Sequence, residues 1–128
     1  MGLHGCSVVL MGRRQQFLDE AVSVLSKQNI KAASVSGDVR KEEEAARAVT
    51  AAVEAFGGLD ILVNSAAGNF LAVAEELRVK GFRTVLDIDT VGVFNMSRAC
   101  FEELKKSKRG VIVNISATLH YGATWYQV

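Results

Sequence analysis

Apolar residues follow two rhythms along this chain: short continuous runs, and longer stretches in which they return every three or four positions. The runs at residues 6–11, 32–35, 60–63 and 111–115 have strand length and sit next to glycine, asparagine or charged residues, so they predict strands. Over residues 14–28, Leu18, Ala21, Val22 and Leu25 mark one buried helix face. A second helix opens with Lys41, Glu42, Glu43 and Glu44 and carries Ala45, Val49, Ala52, Val53 and Phe56 inward. A third, long helix is expected over about residues 82–106, with Phe82, Val85, Leu86, Val93, Met96, Cys100 and Leu104 as its inward stripe. Residues 71–80 are expected to be partly helical, and Leu3, His4 and Gly5 read as a helix end.

Strand and helix alternate without repeats, low-complexity tracts or a linker. That order predicts one α/β domain over residues 1–128, a Rossmann-like, doubly wound parallel sheet. Such a unit normally opens with a strand, a glycine-rich turn and a helix. Residues 1–11 offer no such turn, and Trp125 and Tyr126 near the end are large residues that need something to pack against, so the domain is expected to be incomplete at both ends, a piece of a longer protein or an incomplete gene model. An incomplete sheet leaves a strand edge and apolar faces open, so poor solubility is expected.

With 128 residues, 49% of them hydrophobic, the chain suffices for one core. A net charge of +1 gives no sign of an electrostatic nucleic-acid binder. No apolar run approaches the roughly 18 residues of a membrane span. Cys6 and Cys100 lack metal-ligand spacing and read as reduced core thiols of an intracellular protein, with a single disulfide as the competing reading. The acidic opening of the second helix and the cations from Lys105 to Arg109 complement helix dipoles, which accounts for both without a ligand.

Candidate chemistry collects where strands end. The run Ile61-Leu62-Val63 stops in Asn64, Ser65, Ala66, Ala67, Gly68, Asn69 and Phe70, a small and polar segment. In a parallel sheet it lies at the carboxyl edge, where ligands bind. Arg13 and Arg14 precede a helix whose positive end disfavours cations, which suggests an anion to hold, and the preceding strand ends without the carboxylate that an NAD ribose requires. Asp38 and Val39 can frame an adenine ring, or Asp38 can be a turn or cap residue. Arg40 matters beside a phosphorylated ligand and is otherwise a surface charge. Asp89 falls on the inward stripe of the long helix, where a carboxylate needs a partner or a task. Asn114, Ser116 and Tyr121 follow the last strand at the same edge.

Ile61 to Gly68, Val91-Gly92-Val93-Phe94 and Ile112-Val113-Asn114-Ile115-Ser116, in this order, resemble the short-chain dehydrogenase/reductase family. The stretches around Gly68, Asp89 and Ala117 look most like its peroxisomal 2,4-dienoyl-CoA reductases. Asp89 stands where most members have asparagine, and Ala117 where most have a catalytic serine. The resemblance implies NADPH-dependent reduction of a 2,4-dienoyl-CoA to a 3-enoyl-CoA in a peroxisome, by a homo-oligomer of the full-length parent. It implies Arg13 and Arg14 at the NADP phosphate, Asp38 and Val39 at the adenine, and Asn64, Ala66 and Ala67 at the cofactor's ribose side. Arg40 and Phe70 would meet the acyl-CoA, and Asp89 would order proton delivery. Another NADP-dependent reductase, such as one acting on 3-oxoacyl thioesters, and a non-catalytic product associating with full-length subunits are the alternatives.

Overall fold

The computed structural model describes residues 1–117 and Gly122. A 3-10 turn, Gly2–His4, ends at Gly5, whose φ of 89° is the left-handed conformation that glycine adopts without strain. Then follow β1 (Val8–Gly12), α1 (Gln15–Lys27), β2 (Ala32–Ser36), α2 (Glu42–Phe56), β3 (Ile61–Asn64), α3 (Val79–Leu86), a π-helical turn (Asp87–Val91), α4 (Gly92–Ser107) and β4 (Val111–Asn114). Each expected strand is present within a residue or two of its apolar run.

The strands form two parallel pairs. β1 runs beside β2 with Val8 opposite Ala32 and Gly12 opposite Ser36; β3 runs beside β4 with Ile61 opposite Val111 and Asn64 opposite Asn114. Among the described residues the pairs are not hydrogen-bonded to each other, so the expected sheet is present as two halves. A cavity of about 1170 Å³ lies along both inner edges. Val8, Val9, Leu10 and Met11 line it from β1, Leu62, Val63 and Asn64 from β3, and Ala48, Ala52, Met96 and Cys100 from the helices. Main-chain groups on these edges have no ladder partner among the described residues.

Packing follows the apolar stripes. Leu18 of α1 is buried and lies beside Gly12 of β1, where a side chain at position 12 would touch it at 3.4 Å. Ala45, Ala48 and Ala52 give α2 a small-residue face, and α2 packs against α4. The central cluster is Leu62, Cys100 and Leu104, flanked by Val49, Leu59 and Met96. Burial pushes the Cys100 thiol up to about 11, which keeps it protonated and inert at neutral pH. Cys100 and Cys6 are both free. No helix among the described residues is long and apolar enough to cross a membrane.

One expectation is met in part and one changes. The segment over residues 71–80 is partly helical as expected, at Val79 and Lys80 only; before them a turn forms in which Glu76 and Leu77 both donate to the Val73 carbonyl. The long helix is also not uniform. Between α3 and α4 the Gly92 N–H reaches back to the Asp87 carbonyl, a π-type bond that takes up one extra residue. The insertion rotates the faces on either side out of phase, so the single inward stripe does not form: Phe82 and Leu86 are exposed, whereas Cys100 and Leu104 are buried.

Candidate functional site

The carboxyl ends of β2 and β3 both meet α4. From the β2 side, the Asn95 amide donates to the Val39 carbonyl at 3.0 Å. From the β3 side, the Asn64 amide donates to Ser97 Oγ at 3.3 Å and to Asn114 Oδ1 at 2.9 Å. The first turns of α4 thus gather the segments after β2 and β3 around one edge. Parallel strands have their ligands there because the connecting loops, and the free main-chain groups of the strand ends, face that way.

On the β1–β2 side the site is ionic. Asp38 accepts from the Arg40 main-chain N–H at 3.0 Å, from its Nε at 3.0 Å, and from Nη2. The Arg40 guanidinium holds the Asp38 carboxyl down to about 2, with a smaller contribution from the charge of Arg13. Arg40 is therefore a paired cation, held back along the chain toward Asp38. Arg13 is exposed and has no salt-bridge partner among the described residues, so it is available to an anion. Arg14 lies over the Phe17 ring, 4.3 Å from its centroid, a cation–π contact that directs it along α1. The two adjacent arginines are thus unequal.

Glu44 ties this end down. Its carboxylate accepts from the Asp38 main-chain N–H at 2.6 Å and from Lys41 Nζ at 2.9 Å, and Lys41 followed by that N–H lowers its pKa. The acidic opening of α2 therefore does more than complement a dipole.

On the β3–β4 side the site is made of neutral amides and one carboxylate. Asn64 is buried at 7% exposure and spends its amide N–H groups inside the fold. A buried amide has to be satisfied, and Ser97 and Asn114 are its partners. Ala66 and Ala67 are exposed beyond it. Asp89, expected to be buried, is exposed, because the π-turn swings it off the inward stripe. Its Oδ1 accepts from the Gly68 main-chain N–H at 2.8 Å, which joins the loop after β3 to the helix. A side chain at position 68 would meet Ile88 Cδ1 at 2.8 Å, so glycine permits this approach. Phe70 is exposed and lies near Gly81 at the start of α3. Ala117 is exposed just past β4. Thr118, His120, Tyr121, Trp125 and Tyr126 lie outside the described residues.

The structure therefore brings together Arg13, Asp38, Val39 and Arg40 at one end and Ala66, Ala67, Gly68 and Asp89 at the other. It adds Asn95 and Ser97, which the sequence did not single out, and gives site contacts to Glu44 and Gly92, which the sequence marked only as a helix opening and as part of a family motif. Asn95 carried a signal: it is an amide three residues after a helical glycine, on a stripe otherwise apolar. The donor set fits a phosphorylated nucleotide in part. Arg13 offers an unpaired cation and Val39 an apolar surface, while the Asp38 carboxylate already serves Arg40.

These features define a parallel α/β unit whose candidate site lies at the carboxyl edge of its strands. Within that class, the chain belongs to the short chain dehydrogenase family, whose model matches residues 1–124. A peroxisomal 2,4-dienoyl-CoA reductase of Arabidopsis thaliana is 58% identical over 135 aligned residues, which cover 99% of this chain and 45% of the relative. Its counterpart from Danio rerio is 40% identical over 98% of this chain and 42% of its own length. Among solved structures, an actinorhodin polyketide ketoreductase with NADPH superposes with a TM-score of 0.90 at 27% identity, covering 98% of this chain and 49% of that one. The chain spans less than half the length of each of these three.

Proposed function

We propose that this chain contributes the cofactor edge of an NADPH-dependent 2,4-dienoyl-CoA reductase, which converts a 2,4-dienoyl-CoA to a 3-enoyl-CoA in the breakdown of unsaturated fatty acids. The observation that carries the reading is the 58% identity to the Arabidopsis thaliana reductase across 99% of the chain. NADPH supplies the hydride. In this reading Arg13 meets the 2′-phosphate, where a cation with no salt-bridge partner among the described residues gives the preference over NADH. Arg14 has the lesser part because its guanidinium rests on Phe17. Asp38 and Val39 border the adenine, and Ala66 and Ala67 let the cofactor come close to the backbone.

Reduction of a conjugated thioester builds negative charge on the thioester oxygen, which calls for hydrogen-bond donors and an ordered proton supply. Asp89 takes part by holding the Gly68 N–H, which fixes the loop that carries Phe70 toward the acyl-CoA. Arg40, paired with Asp38, meets the CoA only as one member of an ion pair. A peroxisomal setting follows the names of the relatives. Homo-oligomers fit the exposed apolar side chains of Phe94, Phe101 and Ile112, which share one shallow depression on α4 and β4.

The test is fluorescence titration of the chain with NADPH and NADH, alongside Arg13→Ala and Arg14→Ala. Arg13→Ala should weaken NADPH binding by about tenfold or more, the scale of a lost charge-assisted contact, with NADH affected little. Arg14→Ala should have the smaller effect. Equal affinity of the wild-type chain for the two nucleotides would refute the reading.

A further inference from the structure

We infer that Gly92 and Asn95, on the first turn of α4, are positioning residues for the adenine half of the nucleotide: they clamp Val39 and so fix the Asp38-Val39 segment at the crevice. The inference rests on the function proposed above.

Gly92 is buried and has φ −61° and ψ −41°, an ordinary helical conformation open to any residue. Backbone freedom therefore does not explain it, and glycine inside a helix is less favourable than alanine. What explains it is Val39. A Cβ at position 92 would lie 2.5 Å from Val39 Cγ2 and 3.1 Å from Val39 Cβ, so α4 and the loop after β2 approach this closely only with glycine there. One helical turn on, Asn95 is 8% exposed and gives its amide to the Val39 carbonyl at 3.0 Å. Spacing of three residues puts both contacts on one helix face.

Val39 is thus held twice by α4, by its side chain and by its carbonyl. On its flanks, Glu44 holds the Asp38 N–H, and Asp38 and Arg40 hold each other. Val39 and Gly92 both line the large cavity, so displacing one moves the wall the other forms. A methyl group at position 92 pushes Val39 off the helix and carries Asp38 with it. α4 then sets the width of the adenine side from a distance, without touching the ligand.

The experiment uses the wild-type chain, Gly92→Ala, Val39→Ala and the double variant Val39→Ala/Gly92→Ala, each checked for folding by circular dichroism. Affinities are read for NADPH, for 2′,5′-ADP as the adenine-side probe, and for reduced nicotinamide mononucleotide as the other half. Gly92→Ala should weaken NADPH and 2′,5′-ADP in parallel by about tenfold, the effect of overpacking by one methyl. The mononucleotide should be unaffected. The double variant should return to within about threefold of Val39→Ala, because removing the valine methyls makes room for the new one.

Unchanged affinity in Gly92→Ala, a loss confined to the mononucleotide, or a folded double variant that stays as weak as Gly92→Ala would each overturn the inference. Should Gly92→Ala not fold, the double variant carries the test: it should fold and bind like Val39→Ala, and its failure to fold would show that Val39 is not the contact that matters. A wild-type chain that binds no NADPH would overturn the proposed function and this inference together. NADPH binding by the wild type that is matched by Gly92→Ala would overturn the inference alone.

Discussion

The two halves of the split sheet end in different chemistry. The β1–β2 half closes in ions: Arg13, and the Asp38–Arg40 pair braced by Glu44. The β3–β4 half closes in amides, with Asn64 bonded to Asn114 and to Ser97 of α4. Their interiors differ as well. The first half buries single residues such as Leu18 and Ile30, whereas the second packs Leu62, Cys100 and Leu104 as a cluster. Stability therefore collects around β3 and α4, while long-range electrostatics collects at β1 and β2. A charged ligand end is best met by the ionic half, and a reacting end by the half with the packed cluster.

The contrast can be broken most forcefully at Leu62. It is buried beside Cys100 and Leu104, so Leu62→Ala should lower unfolding stability by about 2–5 kcal/mol, read as a shift of the urea midpoint. A loss below about 1 kcal/mol would mean that the cluster is not the folding core. Next comes Asn64→Leu, which leaves Ser97 and Asn114 facing an apolar group. It should cost about 1–3 kcal/mol, and a neutral result would show that the amides are hydrated rather than tied to each other.

The smallest effect is electrostatic and belongs to the other half. The Asp38 carboxyl lies at about 2 when folded, against an ordinary value of 3.8, because the acid is ionised beside Arg40. A depressed folded value contributes stability that is complete above the unfolded value and disappears as pH falls through the folded one, here from about 4 to about 2. Acid titrations of wild type and Asp38→Asn followed by circular dichroism should converge over that window. Curves that keep a constant separation down to pH 2 would remove the pair from the account.

How far the sequence revealed all this depends on the range of the interaction concerned. The strands and α1 and α2 were legible because each declares itself by local periodicity. The segment over residues 71–80, expected to be partly helical, is helical only at Val79 and Lys80, because the residues before them close a turn on the Val73 carbonyl instead. Asn64 is legible as a special residue, and its side-chain partners are not. An amide at a strand end suits a ligand or a partner equally, and its partner Asn114 stands 50 residues away. The pairing of Arg40 with Asp38 is local and could have been read from their spacing; the stacking of Arg14 on Phe17 likewise. Gly92 is legible as part of a motif, but its reason is not, because Val39 arrives from another element.

The π-turn from Asp87 to Val91 has a consequence for alignment and engineering. Each residue of an α-helix advances the azimuth by about 100°, so one residue more or fewer redirects everything beyond it. Excising a single residue from that turn would leave a smooth, more regular helix of nearly the same composition. Its N-terminal part would be turned by about 100° from its present direction: with the C-terminal end seated on the core, the Asp89 carboxylate would no longer face the Gly68 amide. A length change that looks harmless in a sequence comparison is, at this position, a change of aim.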